Sequence, residues 1–107
     1  MENWTEEKKQ EIYKLAVNKW GVQEQVAMLA EESSELSAEA NHFRRGRCGS
    51  LNSLAEEIAN TIIMIDQLSY IFPNIEELIN THITEKLDKL ERILVFPDEC
   101  VEEEIEQ

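Results

Sequence analysis

The chain of 107 residues has few of the residues that interrupt helices. It contains three glycines and two prolines, and no segment alternates apolar and polar residues as a half-buried strand does. Segment after segment instead repeats its apolar residues at helical spacing. The sequence therefore predicts an all-α protein.

Cysteine and long apolar runs are also scarce. Cys48 and Cys100 have no metal-ligand spacing around them, so we interpret both as reduced thiols. No apolar run approaches the roughly 20 residues that span a membrane, and the N-terminal segment lacks the basic and apolar regions of a signal peptide. These absences predict a cytoplasmic protein with no membrane partner.

Basic residues are outnumbered. The chain has 10 lysines and arginines against 23 aspartates and glutamates, for a net charge of −13. This balance argues against a nucleic-acid partner held by bulk electrostatics. A free nucleotide accompanied by magnesium is still compatible with it.

The length allows one modest core, and we predict a single helical domain over residues 1–96 with an acidic tail over residues 97–107. Cap and breaker residues divide the domain into four helices. The predicted helices are one opened by Thr5 and stopped by Gly21, one from Val22 to Phe43, one opened by a Ser53 capping box and stopped by Pro73, and one capped by Asn74.

The second helix carries two parallel stripes of side chains. One is mainly apolar, begins at Val22 and steps by four and three to Phe43, and we predict that it is buried. The other lies one position earlier in the same rhythm and is rich in carboxylates, which are predicted to line the shoulder of the buried face. Its members are Gln25, Met28, Glu32, Glu35, Glu39 and His42.

The third helix is apolar almost all round. Such a helix must be central, covered by its own chain or by another subunit. We therefore expect Glu57 and Asn60, which lie on it, to be partly enclosed.

A spacing of three residues places Glu32 and Glu35 on one helix face, and Glu57 and Asn60 on another. Gathered carboxylates repel one another unless a cation lies between them, and an all-oxygen site suits Mg²⁺. The alternative is a solvated face, which is the commoner role of helical glutamates.

Two basic groups could bind phosphates. Arg44, Arg45 and Arg47 follow the second helix, and Lys86, Lys89 and Arg92 are spaced three apart on the fourth. Each group could instead complement a helix C-terminus.

These motifs together resemble a known family. The EExxE of Glu31 to Glu35, the basic RRGR segment and the ExxN of Glu57 and Asn60 resemble the MazG-like nucleotide pyrophosphohydrolases of the all-α NTP pyrophosphatase superfamily. The segments KWG, MLAEE and KLDKLER are similar to its phage and prophage branch.

The resemblance implies a four-helix MazG-like bundle that forms a dimer or a dimer of dimers. It implies Mg²⁺-dependent cleavage, with Mn²⁺ as a substitute, of a nucleoside triphosphate between its α and β phosphates. The residues that the resemblance implies are Glu32, Glu35, Glu57 and Asn60 as metal ligands and Lys86, Lys89 and Arg92 at the phosphates. To these we add our own candidates, which are Glu31 or Glu35 as the base, Arg47 at the phosphates, and Asn41 and Trp20 around the base or sugar.

Asn60 departs from the family pattern, which has aspartate there, so the ligand set loses one negative charge. A weakened or inactive nucleotide-binding module is therefore an alternative to the enzyme. A di-iron carboxylate bundle is a further hypothesis. It requires two Glu-x-x-His motifs on different helices, and we find one, at Glu39 and His42.

Overall fold

The computed structural model describes residues 3–46 and 50–96. In these two ranges the chain forms four α-helices and no β-strand, which confirms the all-α prediction. The predictions about Arg47, Cys48, Cys100 and the acidic tail concern residues outside the described ranges. The helices are α1 (Glu6–Trp20), α2 (Val22–Arg44), α3 (Leu51–Ile71) and α4 (Ile75–Val95).

The boundary between α1 and α2 lies where the sequence predicts it. The Thr5 side chain accepts a hydrogen bond from the backbone N–H of Lys8 at 3.1 Å and so caps the first turn of α1. Gly21 ends the helix with a φ of 89°, a backbone conformation that residues with a Cβ atom rarely adopt. Because α2 begins at the next residue, Gly21 is the whole connection.

The predicted start of α3 is wrong by one turn. Ser50, rather than Ser53, is the N-cap, and its Oγ accepts a hydrogen bond from the backbone N–H of Ser53 at 3.0 Å. Ser50 lies one turn before the predicted capping box at Ser53, and the helix starts at this earlier serine. At α4, Asn74 is the N-cap as predicted, but its side chain makes no capping bond.

The chain divides into two compact units, Met1–Pro73 and Asn74–Gln107. The first holds α1, α2 and α3, and the second holds α4. Within the first, α2 and α3 pack most extensively, and α1 packs less extensively on both. The single domain over residues 1–96 stays a prediction.

Tyr13 attaches α1 to α3. Its ring is buried, and its hydroxyl donates a hydrogen bond to Asp66 Oδ2 at 2.8 Å. Lys9 Nζ lies 3.8 Å from the same carboxylate oxygen. Burial, and then the hydrogen bond to Asp66, raise the pKa of Tyr13, so the phenol stays neutral and keeps donating.

The prediction that the apolar stripe of α2 is buried is wrong. Relative to that prediction, the buried face of the helix is shifted by about one residue. Val22, Val26 and Phe43 are exposed, Val26 by 42%, whereas Gln25 is only 1% exposed. The face that meets α3 is therefore the polar stripe. The physical reason is that α3 offers polar partners such as Gln67, and an amide buried without a partner would cost more than exposed apolar area.

The apolar third helix is covered on one side only. Met64 and Leu68 are buried, whereas Ile62 and Ile63 are 58% and 50% exposed. In the described ranges, no helix combines the length and the apolar character needed to cross a membrane.

Candidate metal centre

The packing of α2 on α3 sets the register of the candidate site. Gln67 Nε2 donates a hydrogen bond to Gln25 Oε1 in the interface between the two helices. Glu32 follows Gln25 by seven residues on α2, and Asn60 precedes Gln67 by seven residues on α3. Because the two helices are antiparallel, Glu32 and Asn60 face each other two turns away from the pair of glutamines.

Three carboxylates lie close together where Glu32 faces Asn60. Glu32, Glu35 and Glu57 each offer an oxygen, and these atoms all lie within 4.8 Å of one another. Glu32, Glu57 and Asn60 are half-buried, as expected for a partly enclosed site, while Glu35 is exposed. The cluster therefore has an enclosed side and a side open to solvent.

Two oxygens on the enclosed side are unsatisfied. Oε1 of Glu32 and Oε1 of Glu57 are both buried, and neither has a hydrogen-bond partner among the described residues. A buried carboxylate oxygen without a partner is costly, and native structures contain few such atoms. Their position beside a third carboxylate is what a cation site requires.

Burial and the neighbouring carboxylates also change the pKa of Glu32. Burial, followed by repulsion from Glu35, Glu57 and Glu31, raises its pKa above the ordinary value of 4.5. A hydrogen bond from Asn60 acts in the opposite direction. The ionised form of Glu32 is thus disfavoured in this cluster, and a bound cation would favour it.

Asn60 is placed to contribute a neutral oxygen. Its amide N–H group donates to the Glu32 carboxylate, because an ionised carboxylate can only accept. To act as a ligand it would turn its carbonyl oxygen toward the cation. The donor set is then three carboxylates and one amide oxygen.

This donor set fits a hard cation. Oxygen ligands with three negative charges among them suit Mg²⁺ or Mn²⁺. Either ion also keeps coordination positions for water or phosphate oxygens. The described cluster includes neither Glu39 nor His42. The di-iron reading therefore gains no support from the geometry.

The other predicted residues lie elsewhere. Glu31 is exposed on α2, and its charge contributes to the raised pKa of Glu32. Lys86, Lys89 and Arg92 share one face of α4, with Lys89 and Arg92 half-buried. Since α4 belongs to the second unit, their role at phosphates stays a prediction, as does that of Arg47.

Asn41 and Trp20 are not brought together. Trp20 precedes α2 and is half exposed, with Lys19 Nζ 5.4 Å from its ring centroid. Asn41 lies in the last turn of α2, where its Oδ1 accepts a hydrogen bond from Arg44 Nη2 at 3.2 Å. The helix between them separates the two by about 30 Å, so one subunit cannot build a single pocket from both.

Sequence reasoning gave no role to Gln25 and Gln67, although the signal was present. Gln25 is the first member of the carboxylate-rich stripe of α2, and Gln67 continues the rhythm of Glu57, Asn60 and Met64 on α3. Polar residues that extend a candidate site by whole helical turns indicate that the interface itself is polar.

The chain matches no protein-family model, no curated protein and no solved structure. The assignment of a function therefore depends on the residues and their geometry.

Proposed function

We propose that this chain is a Mg²⁺-dependent nucleoside triphosphate pyrophosphohydrolase that releases a nucleoside monophosphate and pyrophosphate. The observation that carries the proposal is the cluster of Glu32, Glu35 and Glu57, in which two buried oxygens have no hydrogen-bond partner. The resemblance of the EExxE and ExxN motifs to MazG-like enzymes supports the substrate class.

In this proposal the enclosed side of the cluster holds the cation. Glu32 and Glu57, each with an unsatisfied oxygen, would hold it together with Glu35 and Asn60. When bound, Mg²⁺ offsets the charge of the phosphates and acidifies water. The strongly acidic chain needs this offset, because a triphosphate would otherwise be repelled.

The base is Glu35 or Glu31, both on the solvent side of α2. The oxygen of a water molecule forms a bond to phosphorus, the bridging P–O bond between the α and β phosphates breaks, and pyrophosphate leaves. The proton of the attacking water passes to the carboxylate. Glu35 is favoured by position, because its carboxylate already lies in the cluster.

We propose that the protein acts in the cytoplasm as a homodimer or homotetramer. Exposed apolar side chains on two helices support association, among them Val26 and Phe43 on α2 and Ile62 on α3. An oligomer would also allow Asn41 of one copy and Trp20 of another to approach the same nucleotide.

Asn60 favours a second candidate, a nucleotide-binding or regulatory module without turnover. The amide lowers the charge of the ligand set by one, and in the metal-free site it is engaged by Glu32. Such a module would bind metal and nucleotide but release no pyrophosphate.

The test is titration of Mg²⁺ and Mn²⁺ into the wild-type protein, Glu57→Gln and the matched control Glu56→Gln, whose exposed position directly precedes Glu57. We expect Glu57→Gln to weaken binding at least ~100-fold, because a charged ligand is lost, and Glu56→Gln to bind nearly as the wild type. The same samples are screened for pyrophosphate release from ribo- and deoxyribonucleoside triphosphates.

Each outcome is decisive. Metal binding with release from some triphosphates supports the enzyme, and metal binding without release supports the binding module. Equal titrations for all three proteins would return the cluster to a solvated face of the helices.

A further inference from the structure

The interface between α2 and α3 contains a buried amide pair outside the carboxylate cluster. Gln25 is 1% exposed and Gln67 is 5% exposed, and the two side chains hydrogen-bond to each other. Gln25 has the largest side chain that is fully buried in the described part of the chain. A polar pair at the most enclosed position of a small core requires an explanation.

Stability does not supply that explanation. Gln25 Nε2 is buried and has no hydrogen-bond partner among the described residues. The hydrogen bond therefore satisfies the Gln25 carbonyl oxygen but leaves the Gln25 NH₂ group unsatisfied, which costs free energy relative to two apolar side chains of the same shape. What a directional hydrogen bond adds instead is discrimination between alternative arrangements.

The neighbours of each glutamine show which arrangements are excluded. Along α3, Tyr70 and Ile71 lie one turn after Gln67, and Ile63 and Met64 lie one turn before it. A slip of one turn, about 5.4 Å, would separate the two amides and place the Gln25 amide against mainly apolar side chains. Only the native register joins the two amides.

The same is true of Gln67, because the positions one turn from Gln25 on α2 are Gly21, Val22, Met28 and Leu29.

The remainder of this interface specifies register weakly. Between the glutamine pair and the acidic cluster lie Met28 and Met64, which are unbranched and adaptable. Beyond them, repulsion of Glu32 by Glu35 and Glu57 opposes the hydrogen bond that Asn60 donates to Glu32 across the interface. Without the glutamine pair, this repulsion would favour movement of the carboxylates apart along the helix axes.

We propose that Gln25 and Gln67 are positioning residues: their buried hydrogen bond sets the register of α2 on α3 and thereby holds Glu32 and Glu35 opposite Glu57 and Asn60. The consequence for metal binding rests on the proposed function, whereas the consequence for register does not.

The test compares the wild type with the double variant Gln25→Met and Gln67→Met, which keeps the side-chain shape and removes both amides. Spin labels are attached at Ala27→Cys and Ala55→Cys, two exposed positions that are offset along the helix axes, in a background of Cys48→Ser and Cys100→Ser. Electron–electron double resonance measures their separation, with unlabelled protein in excess so that only distances within one chain are observed. Mn²⁺ affinity and thermal midpoint are measured on the unlabelled proteins.

We expect a single narrow distance for the wild type and a broadened or second distance for the double variant. The thermal midpoint of the double variant should equal or exceed that of the wild type, while Mn²⁺ binding weakens by at least ~10-fold. The single variant Gln25→Met should lower the midpoint, because it leaves the Gln67 amide unpaired.

A narrow wild-type distance in the double variant would overturn the proposal. So would a double variant less stable than either single variant, since the hydrogen bond would then hold the helices together and not merely align them. If the wild type binds no Mn²⁺ but the double variant loses its single distance, the proposed function fails and the role in register stands.

Discussion

At the scale of single residues, Glu32 is the side chain whose surroundings are least compatible with its charge. It is half-buried, one of its oxygens has no partner among the described residues, and two carboxylates share its space. Its raised pKa is the direct consequence of burial and of these charges. Two predictions follow from this environment.

The first concerns pH. A carboxyl group with a raised pKa keeps its proton in the folded protein at pH values where the unfolded chain has released it. The contribution of Glu32 to stability therefore falls as pH rises from 4.5 through its raised pKa, and the full penalty is present above that pKa. Glu32→Gln should be more stable than the wild type at pH 7 and equal to it near pH 4.

Urea denaturation with a chelator, repeated over this pH range, measures the difference. Glu31→Gln, at the exposed neighbouring position, is the control and should show a smaller change. Parallel pH profiles for the wild type and Glu32→Gln would contradict the prediction.

The second concerns Asn60. Asn60→Asp adds a fourth negative charge to the ligand set, so Mg²⁺ affinity should rise by on the order of tenfold, and turnover should rise with it. The metal-free variant should be less stable, because the hydrogen bond that lowers the pKa of Glu32 is replaced by repulsion. Calorimetric titration and a pyrophosphate-release assay check both effects; unchanged affinity would show that position 60 does not contact the cation.

At the scale of elements, the N-terminus of α3 is the one helix boundary that the sequence misplaced. Ser50 and Ser53 are both plausible caps, but the Ser50 hydroxyl is the one that accepts the backbone hydrogen bond. This boundary is relevant to the site, because Glu57 lies within two turns of it.

Ser50→Ala should lower the free energy of unfolding by about 1 kcal/mol, the usual effect of a lost N-cap. Ser53→Ala removes only an exposed contact between two hydroxyls and places alanine inside a helix, so it should be close to neutral. Denaturant titrations of the two variants distinguish them, and the reverse order of stability would restore the cap to Ser53.

At the scale of the whole molecule, the first unit exposes several large apolar side chains. Ile62 and Ile63 on α3 and Val26 on α2 are each more than two-fifths exposed. Apolar surface of this kind is a mark of association. A highly acidic chain resists non-specific association, which favours a defined partner surface.

Ile62→Lys should therefore shift the protein toward monomers without loss of helix, because it buries a charge in the proposed interface. Light scattering coupled to gel filtration measures the mass, and circular dichroism measures the helix content. Ser34→Lys, at an exposed polar position of α2, is the matched control and should leave the mass unchanged. A wild-type protein that is monomeric at all concentrations would contradict the assembly.

The sequence by itself determined what depends on neighbours along the chain. Helical period, the Thr5 cap and the break at Gly21 are local, and a three-residue spacing places Glu32 and Glu35 on one face whatever surrounds the helix. The presence of four helices and the shared face of Glu32 and Glu35 could therefore be predicted.

Only the tertiary structure decided which side of α2 is buried. The two stripes of that helix differ by one residue, a rotation of about 100°, and the choice between them depends on what α3 presents across the interface. Gln67 accounts for the burial of Gln25, and that register then brings Glu57 to within 4.8 Å of Glu32 and Glu35. Apolar periodicity favoured the other stripe, because it carries no information about a polar partner 42 residues away in sequence.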